Sequence, residues 1–215
     1  TINPCRGVKP PQGTTGTHRA LSPKEVAWVM QRAQEHRFGL PVMLMLFAGL
    51  RRGEAAGIMA DDISDVVHVR RSVVWEGNAP RIKTPKTAAG TRKVPVFPPL
   101  KPFLDFTGYA AKPVGNRTGP ISLQAFTRAF ESFMGDRDIR CHDLRHTFTT
   151  MIYDAGVDVK TAQAWLGHSD AAVTMRIYTH LSAARQEQAT QAAELYFSRL
   201  GCTSGDTPKI YRLKR

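Results

Sequence analysis

Cysteine, acidic clusters and long apolar runs are scarce in this sequence, and each scarcity removes a class of protein. Cys5, Cys141 and Cys202 stand far apart and are odd in number. That does not make a disulfide framework, and a reducing cytoplasm is the expected setting. No apolar run reaches the ~20 residues of a membrane span; the longest, Leu40 to Leu50, suits a buried helix. No secretory signal is visible. No cluster of Asp and Glu suggests a magnesium site, and no Gly-Lys loop is available to cradle a nucleotide phosphate.

Positive charge is abundant. The 215 residues carry 30 Lys+Arg against 18 Asp+Glu, a net charge of +12, with a pI near 10.1. A chain this basic is expected to meet a polyanion, most often nucleic acid. Hydrophobic residues make up 42%, enough for the core of one large domain with tails.

Thr1 to Ala20 is rich in Pro, Gly and Thr without apolar periodicity and reads as a linker. Ser22-Pro23-Lys24-Glu25 is a helix start: Ser22 caps, Pro23 fits the first helical position and Glu25 completes a capping box. Helices are expected over Pro41–Ala48, from near Arg51 to near Gly57, and over a short stretch around Leu100–Phe106. Further helices are expected over Ser122–Met134, Asp143–Ala155, Thr161–Leu166, Ala171–Leu181 and Ala183–Leu200. β-Branched runs at Val66–Trp75, Arg81–Thr84 and Thr91–Phe97 predict a three-stranded antiparallel sheet, with the loop Pro85–Gly90 exposed between its last two strands. Gly201–Arg215 reads as a flexible basic tail. The fold class is therefore α+β, mostly helical, with a small sheet at the edge of a helical core.

Scattered polar residues recur in short motifs along this framework. Arg51 and Glu54 stand in FAGLRRGE, three apart and so on one helical face. Lys86 stands in TPKTAAGTRKVPV, with Lys83 and Lys93 as nearby alternatives. His142 and Arg145 stand in HDLRHT, also three apart. His168 stands in WLGHSD and Tyr178 in MRIYTH. Guanidinium forks match phosphate oxygens, a lysine can protonate a leaving oxygen, and a tyrosine can attack phosphorus once cations favour its phenolate. His142 and His146 also lie one turn apart, as in zinc helices, but Asp143 follows the first His where metalloproteases carry Glu, and no third ligand is obvious.

In this order the motifs resemble the catalytic domain of the tyrosine recombinases, or phage-type integrases, from about Leu21 to about Leu181. The resemblance implies the catalytic fold of that family over residues 21–200, and site-specific DNA strand breakage and rejoining through a 3′-phosphotyrosine. It implies Arg51 and Arg145 as phosphate clamps, with Glu54 supporting Arg51. His142 would hydrogen-bond the phosphate or help take the tyrosine proton, His168 would hydrogen-bond the phosphate, Lys86 would protonate the departing 5′ oxygen and Tyr178 would be the nucleophile. No cofactor, metal or ATP is expected. Double-stranded DNA is the expected partner, engaged by a tetramer of this chain with accessory DNA-bending proteins. Residues 1–20 would be the strap from a missing N-terminal DNA-binding domain. Two other readings stay open. One is an enzyme of the type IB topoisomerase kind, which shares the chemistry. The other is a non-catalytic DNA-binding regulator, because Val159–Leu181 has the outline of a helix-turn-helix.

Overall fold

The computed structural model describes residues 19–76, 79–84, 91–104 and 122–167, together with Met175 and residues 190–191 and 193–198. Helix α1 (Pro23–Glu35) begins with the expected capping box. The Ser22 hydroxyl accepts the Glu25 amide, and the Glu25 carboxylate accepts the Ser22 amide at 2.8 Å. Helix α2 (Gly39–Ala48) is buried on nearly every side, as its apolar sequence demands, and packs against α1 and α5 (Cys141–Asp154). Burying each of its Leu and Met side chains stabilises the fold by roughly 1.5–3 kcal/mol. It ends at Gly49, whose φ of +62° is the left-handed conformation that terminates helices. A Cβ there would stand 2.5 Å from Phe148 Cδ1, so glycine serves the turn and the close approach of α5 together.

Helix α3 (Arg52–Gly57) follows directly, and strands β1 (Val66–Val69) and β2 (Ser72–Glu76) come next. The single strand expected over Val66–Trp75 is interrupted at Arg70 and Arg71. Both guanidinium groups donate to the fully buried carboxylate of Asp62, Arg71 at 2.7 Å. A buried carboxylate requires partners, and supplying them turns the chain out of the ladder. In place of one three-stranded sheet there are two antiparallel pairs. β1 pairs with β4 (Arg92–Pro95), and β2 pairs with β3 (Ala79–Lys83). β3 is exposed along its whole length. The stretch expected as a helix around Leu100–Phe106 is a 3₁₀ segment, Pro98–Phe103, consistent with three prolines that cannot donate α-helical hydrogen bonds.

Helix α4 (Leu123–Met134), capped by Ser122, buries Phe126, Phe130 and Phe133. Phe133 meets Trp28 and His36 edge-on, and Phe126 meets Phe38. Helix α6 (Val159–Leu166), capped by Asp158, ends at Gly167 with φ +63°. The loop Pro85–Gly90 and the expected helix Ala171–Leu181 lie outside the described residues, apart from Met175. Within the expected final helix, residues 190–191 and 193–198 are helical, and Leu195, Tyr196 and Phe197 are exposed.

Candidate active site

Arg51 sits at the N-terminal boundary of α3, and the helix geometry brings Glu54 back onto it. The Glu54 carboxylate accepts the Arg51 backbone amide at 2.7 Å and the Arg51 guanidinium at 2.8 Å. A carboxylate in the first turn also complements the helix dipole. Gly53 lets α3 lie against β2, because a Cβ there would come within 2.6 Å of the Val73 carbonyl and the Ser72 hydroxyl.

Arg92, at the start of β4, reaches the same carboxylate from the opposite side. Its guanidinium donates two parallel hydrogen bonds to Glu54, at 2.9 and 2.8 Å, the bidentate geometry that makes arginine–carboxylate pairs strong. Arg145, four residues into α5 and buried, brings its Nη1 to 4.0 Å from Glu54. Three guanidinium groups thus surround one carboxylate.

The same three arginines close the end of α6. Arg92 Nε donates to the Trp165 carbonyl at 2.6 Å, Arg145 Nη2 to Leu166 at 2.6 Å, and Arg51 Nη2 to Gly167 at 3.0 Å. The last carbonyls of a helix have no partner within it and carry partial negative charge; here each of three in succession receives its own arginine. Arg145 Nη1 also donates to the Gly49 carbonyl at the end of α2, at 2.5 Å. The ends of α2 and α6, the start of α3 and the start of β4 are thereby drawn to one point, and the chain leaves that point at Gly167 toward His168.

Burial would push the Glu54 carboxyl up, but the hydrogen bonds and charge of Arg92, with the Arg51 amide and charge, outweigh it and hold the group at about 2. Burial pushes the Arg145 guanidinium down to about 9, the Arg51 charge adds to that, and Glu54 partly offsets it. Both groups are ionised at neutral pH. One carboxylate set against three guanidinium groups leaves two positive charges uncompensated at the cluster. Arg51 is the accessible member, with 39% of its side chain exposed; Arg92 has 3%. The cluster can therefore receive an anion at Arg51 while Arg92 stays behind it.

Among the residues singled out from sequence, Arg51, Glu54 and Arg145 come together here. His142 lies on an exposed position of the first turn of α5, three residues before Arg145. Lys86, His168 and Tyr178 lie outside the described residues. Of the alternatives to Lys86, Lys83 pairs with Glu76 at 3.3 Å on the β2–β3 ladder. Lys93 points outward from β4, on the face opposite Arg92. The sequence reading missed Arg92. The available signal was strand alternation: Arg92 shares the inward register with Val94, and an arginine on the core side of a strand requires a buried partner.

Residues 19–185 match the model of the phage integrase family. The tyrosine recombinase XerD of Corynebacterium glutamicum is 30% identical over 188 residues, which is 82% of this chain and 61% of that protein. The integrase of Mycobacterium phage D29 is 30% identical over 204 residues, 86% of this chain and 54% of that protein. This chain thus spans less than two thirds of the length of either relative. In fold it is similar to the integrase of transposon Tn1549 (residues 82–397, solved with circular intermediate DNA), with a TM-score of 0.68 and 21% identity. That alignment covers 83% of this chain and 68% of the other. The match to the family model covers most of the sequence, and the chain belongs to the phage integrase family.

Proposed function

We propose that this chain is a site-specific DNA recombinase that cuts and rejoins strands through a covalent 3′-phosphotyrosine. The observation that carries the reading is the convergence of Arg51 and Arg145 beside Glu54, with net positive charge and with Arg51 accessible. A phosphodiester carries one negative charge and gains a second as a fifth oxygen approaches. Two uncompensated guanidinium charges suit that dianionic arrangement, and preorganised donors aimed at developing charge are a large source of rate.

In this reading Tyr178 Oη attacks the scissile phosphorus and forms the tyrosyl–phosphate bond as the bond to the 5′ oxygen breaks. The phenolic proton passes toward His142 or to water, and the departing 5′ oxygen takes a proton from Lys86. His168, one residue beyond the Gly167 carbonyl that Arg51 caps, donates to a phosphate oxygen. A 5′-hydroxyl of another strand then attacks the phosphotyrosine, reversing each transfer and releasing Tyr178. One phosphodiester is exchanged for another, so no ATP is consumed, and the arginines supply the charge neutralisation in place of a metal.

Double-stranded DNA is the proposed partner, bound through exposed arginines such as Arg52 and Arg128, which line one surface depression. A tetramer of the chain on DNA, with accessory DNA-bending proteins, is proposed as the working assembly. No helix among the described residues is long and apolar enough to cross a membrane. The buried arginine–glutamate cluster would hold the fold together in a non-catalytic DNA-binding regulator too, but its uncompensated charge, accessible at Arg51, is what phosphoryl transfer uses.

The test is relaxation of supercoiled plasmid in EDTA by the chain and by Tyr178→Phe. Relaxation by the parent with a covalent protein–DNA band, both lost in the variant while salt-sensitive binding persists, is the expected result. Relaxation that survives in Tyr178→Phe would remove Tyr178 as nucleophile.

A further inference from the structure

Arg92 is buried, fully engaged and outside every role assigned above. Its two Nη groups hold the two oxygens of Glu54, and its Nε holds the Trp165 carbonyl. Glu54 in turn uses the same two oxygens for the Arg51 guanidinium and the Arg51 amide. Remove Arg92 and Glu54 keeps only Arg51, which is hydrogen-bonded to it, and Arg145 at 4.0 Å; Arg51 is then drawn into a tighter pair with it and away from the phosphate. Remove the fork but keep the charge, and Glu54 loses the planar geometry that fixes its orientation. Arg92 also stands six residues after Lys86 in sequence, at the first position of β4, so it ties the base of that loop to the end of α6.

We infer that Arg92 is a positioning residue of this site. It neutralises and orients Glu54 so that Arg51 keeps its charge available for the phosphate, and it fixes the α6 terminus from which His168 follows. The inference rests on the proposed transesterification for its consequence in rate, but its structural half stands by itself. Arg92 touches no DNA in this account. A misplacement of about 1 Å in groups around a reacting centre costs about 10²-fold in rate, and that is the size of effect expected.

The experiment compares the chain with Arg92→Lys, Glu54→Gln and the double variant, each first shown to melt cooperatively. The first readout is the ¹⁵N–¹H guanidinium spectrum of Arg51, identified by its loss in Arg51→Lys. In the parent its hydrogen-bonded protons are expected to exchange more slowly than those of a free guanidinium. In Arg92→Lys they are expected to shift and exchange at least several-fold faster or slower. An unchanged Arg51 signal would overturn the inference whatever the activity. The second readout is plasmid relaxation at saturating protein, alongside half-saturation for DNA binding. Arg92→Lys is expected to relax about 10²-fold more slowly with half-saturation within about twofold, and the double variant to be no slower than Glu54→Gln. Additive losses, or a loss confined to binding, would overturn the positioning role. Should the parent itself fail to relax plasmid, the proposed reaction is what fails, and the Arg51 spectrum still decides on Arg92.

Discussion

Arg51 and Gly167 lie 116 residues apart in the chain and are joined by a 3.0 Å hydrogen bond from the guanidinium to the carbonyl. That contact links two of the motifs that mark the family, the turn before α3 and the glycine after α6. It ties the Arg51 guanidinium to the end of α6. Arg51→Lys keeps the charge but has no second nitrogen to span Glu54 and Gly167 together. The expected outcome is covalent complex formation reduced by about 10²–10³-fold, in the range for loss of one preorganised donor. Plasmid binding should keep nearly the same salt dependence. Gel-shift titrations beside trapping of the covalent complex check it.

Acid should weaken the fold through Glu54. Its carboxyl is held at about 2, below the ordinary value of 4.5. A lowered carboxyl contributes stability that is complete above the unfolded value and is lost as pH falls through the folded one. The contribution, on the order of 3 kcal/mol for a group this buried, should be intact above about pH 5 and decline between about 4.5 and 2. Glu54→Gln lacks it at every pH. Denaturant unfolding of both proteins from pH 7 to pH 3 should show a stability gap that is constant near neutrality and narrows with acid. A gap that widens with acid would contradict the assigned charge state.

How much of this was readable in the sequence differs from residue to residue. The cap of α1 follows from Ser22, Pro23 and Glu25 because capping is local chemistry. The burial of α2 follows from its unbroken apolar run, and the pairing of Arg51 with Glu54 from helical spacing. The interruption of the first strand was not legible. Arg70 and Arg71 turn toward Asp62, and nothing nearby in sequence says that Asp62 is buried. Nor was the gathering of arginines at the end of α6 legible, because those hydrogen bonds span 21, 73 and 116 residues. Sequence motifs named Arg51 and Arg145 through resemblance; only the packed chain explains why Arg92 belongs with them.

The lysines in and beside the Pro85–Gly90 segment should separate cleanly. Lys86→Ala is expected to slow relaxation by about 10²–10⁴-fold, the scale of a lost general acid, with binding little changed. Lys83 is tied to Glu76 and Lys93 faces outward from β4, so Lys83→Ala and Lys93→Ala should each cost only a few-fold and lower the salt slope of binding by at most about one contact. A rate loss in Lys93→Ala as large as that in Lys86→Ala would reassign the proton donor.

Gly49 joins stability to the site. Its left-handed φ of +62° and the 2.5 Å approach a Cβ would make to Phe148 leave alanine no relaxed arrangement. Substitution is expected to cost about 1–3 kcal/mol, from the backbone conformation and from displacement of a core ring. The Gly49 carbonyl also receives Arg145, so displacement of this turn carries Arg145 with it. Gly49→Ala should therefore lose covalent complex formation even at temperatures well below its lowered melting point, where it remains folded. Phe148→Leu in the same background makes room for the added methyl and should recover part of both losses. Recovery of stability without any recovery of cleavage would mean that Arg145 does not depend on the Gly49 turn for its place.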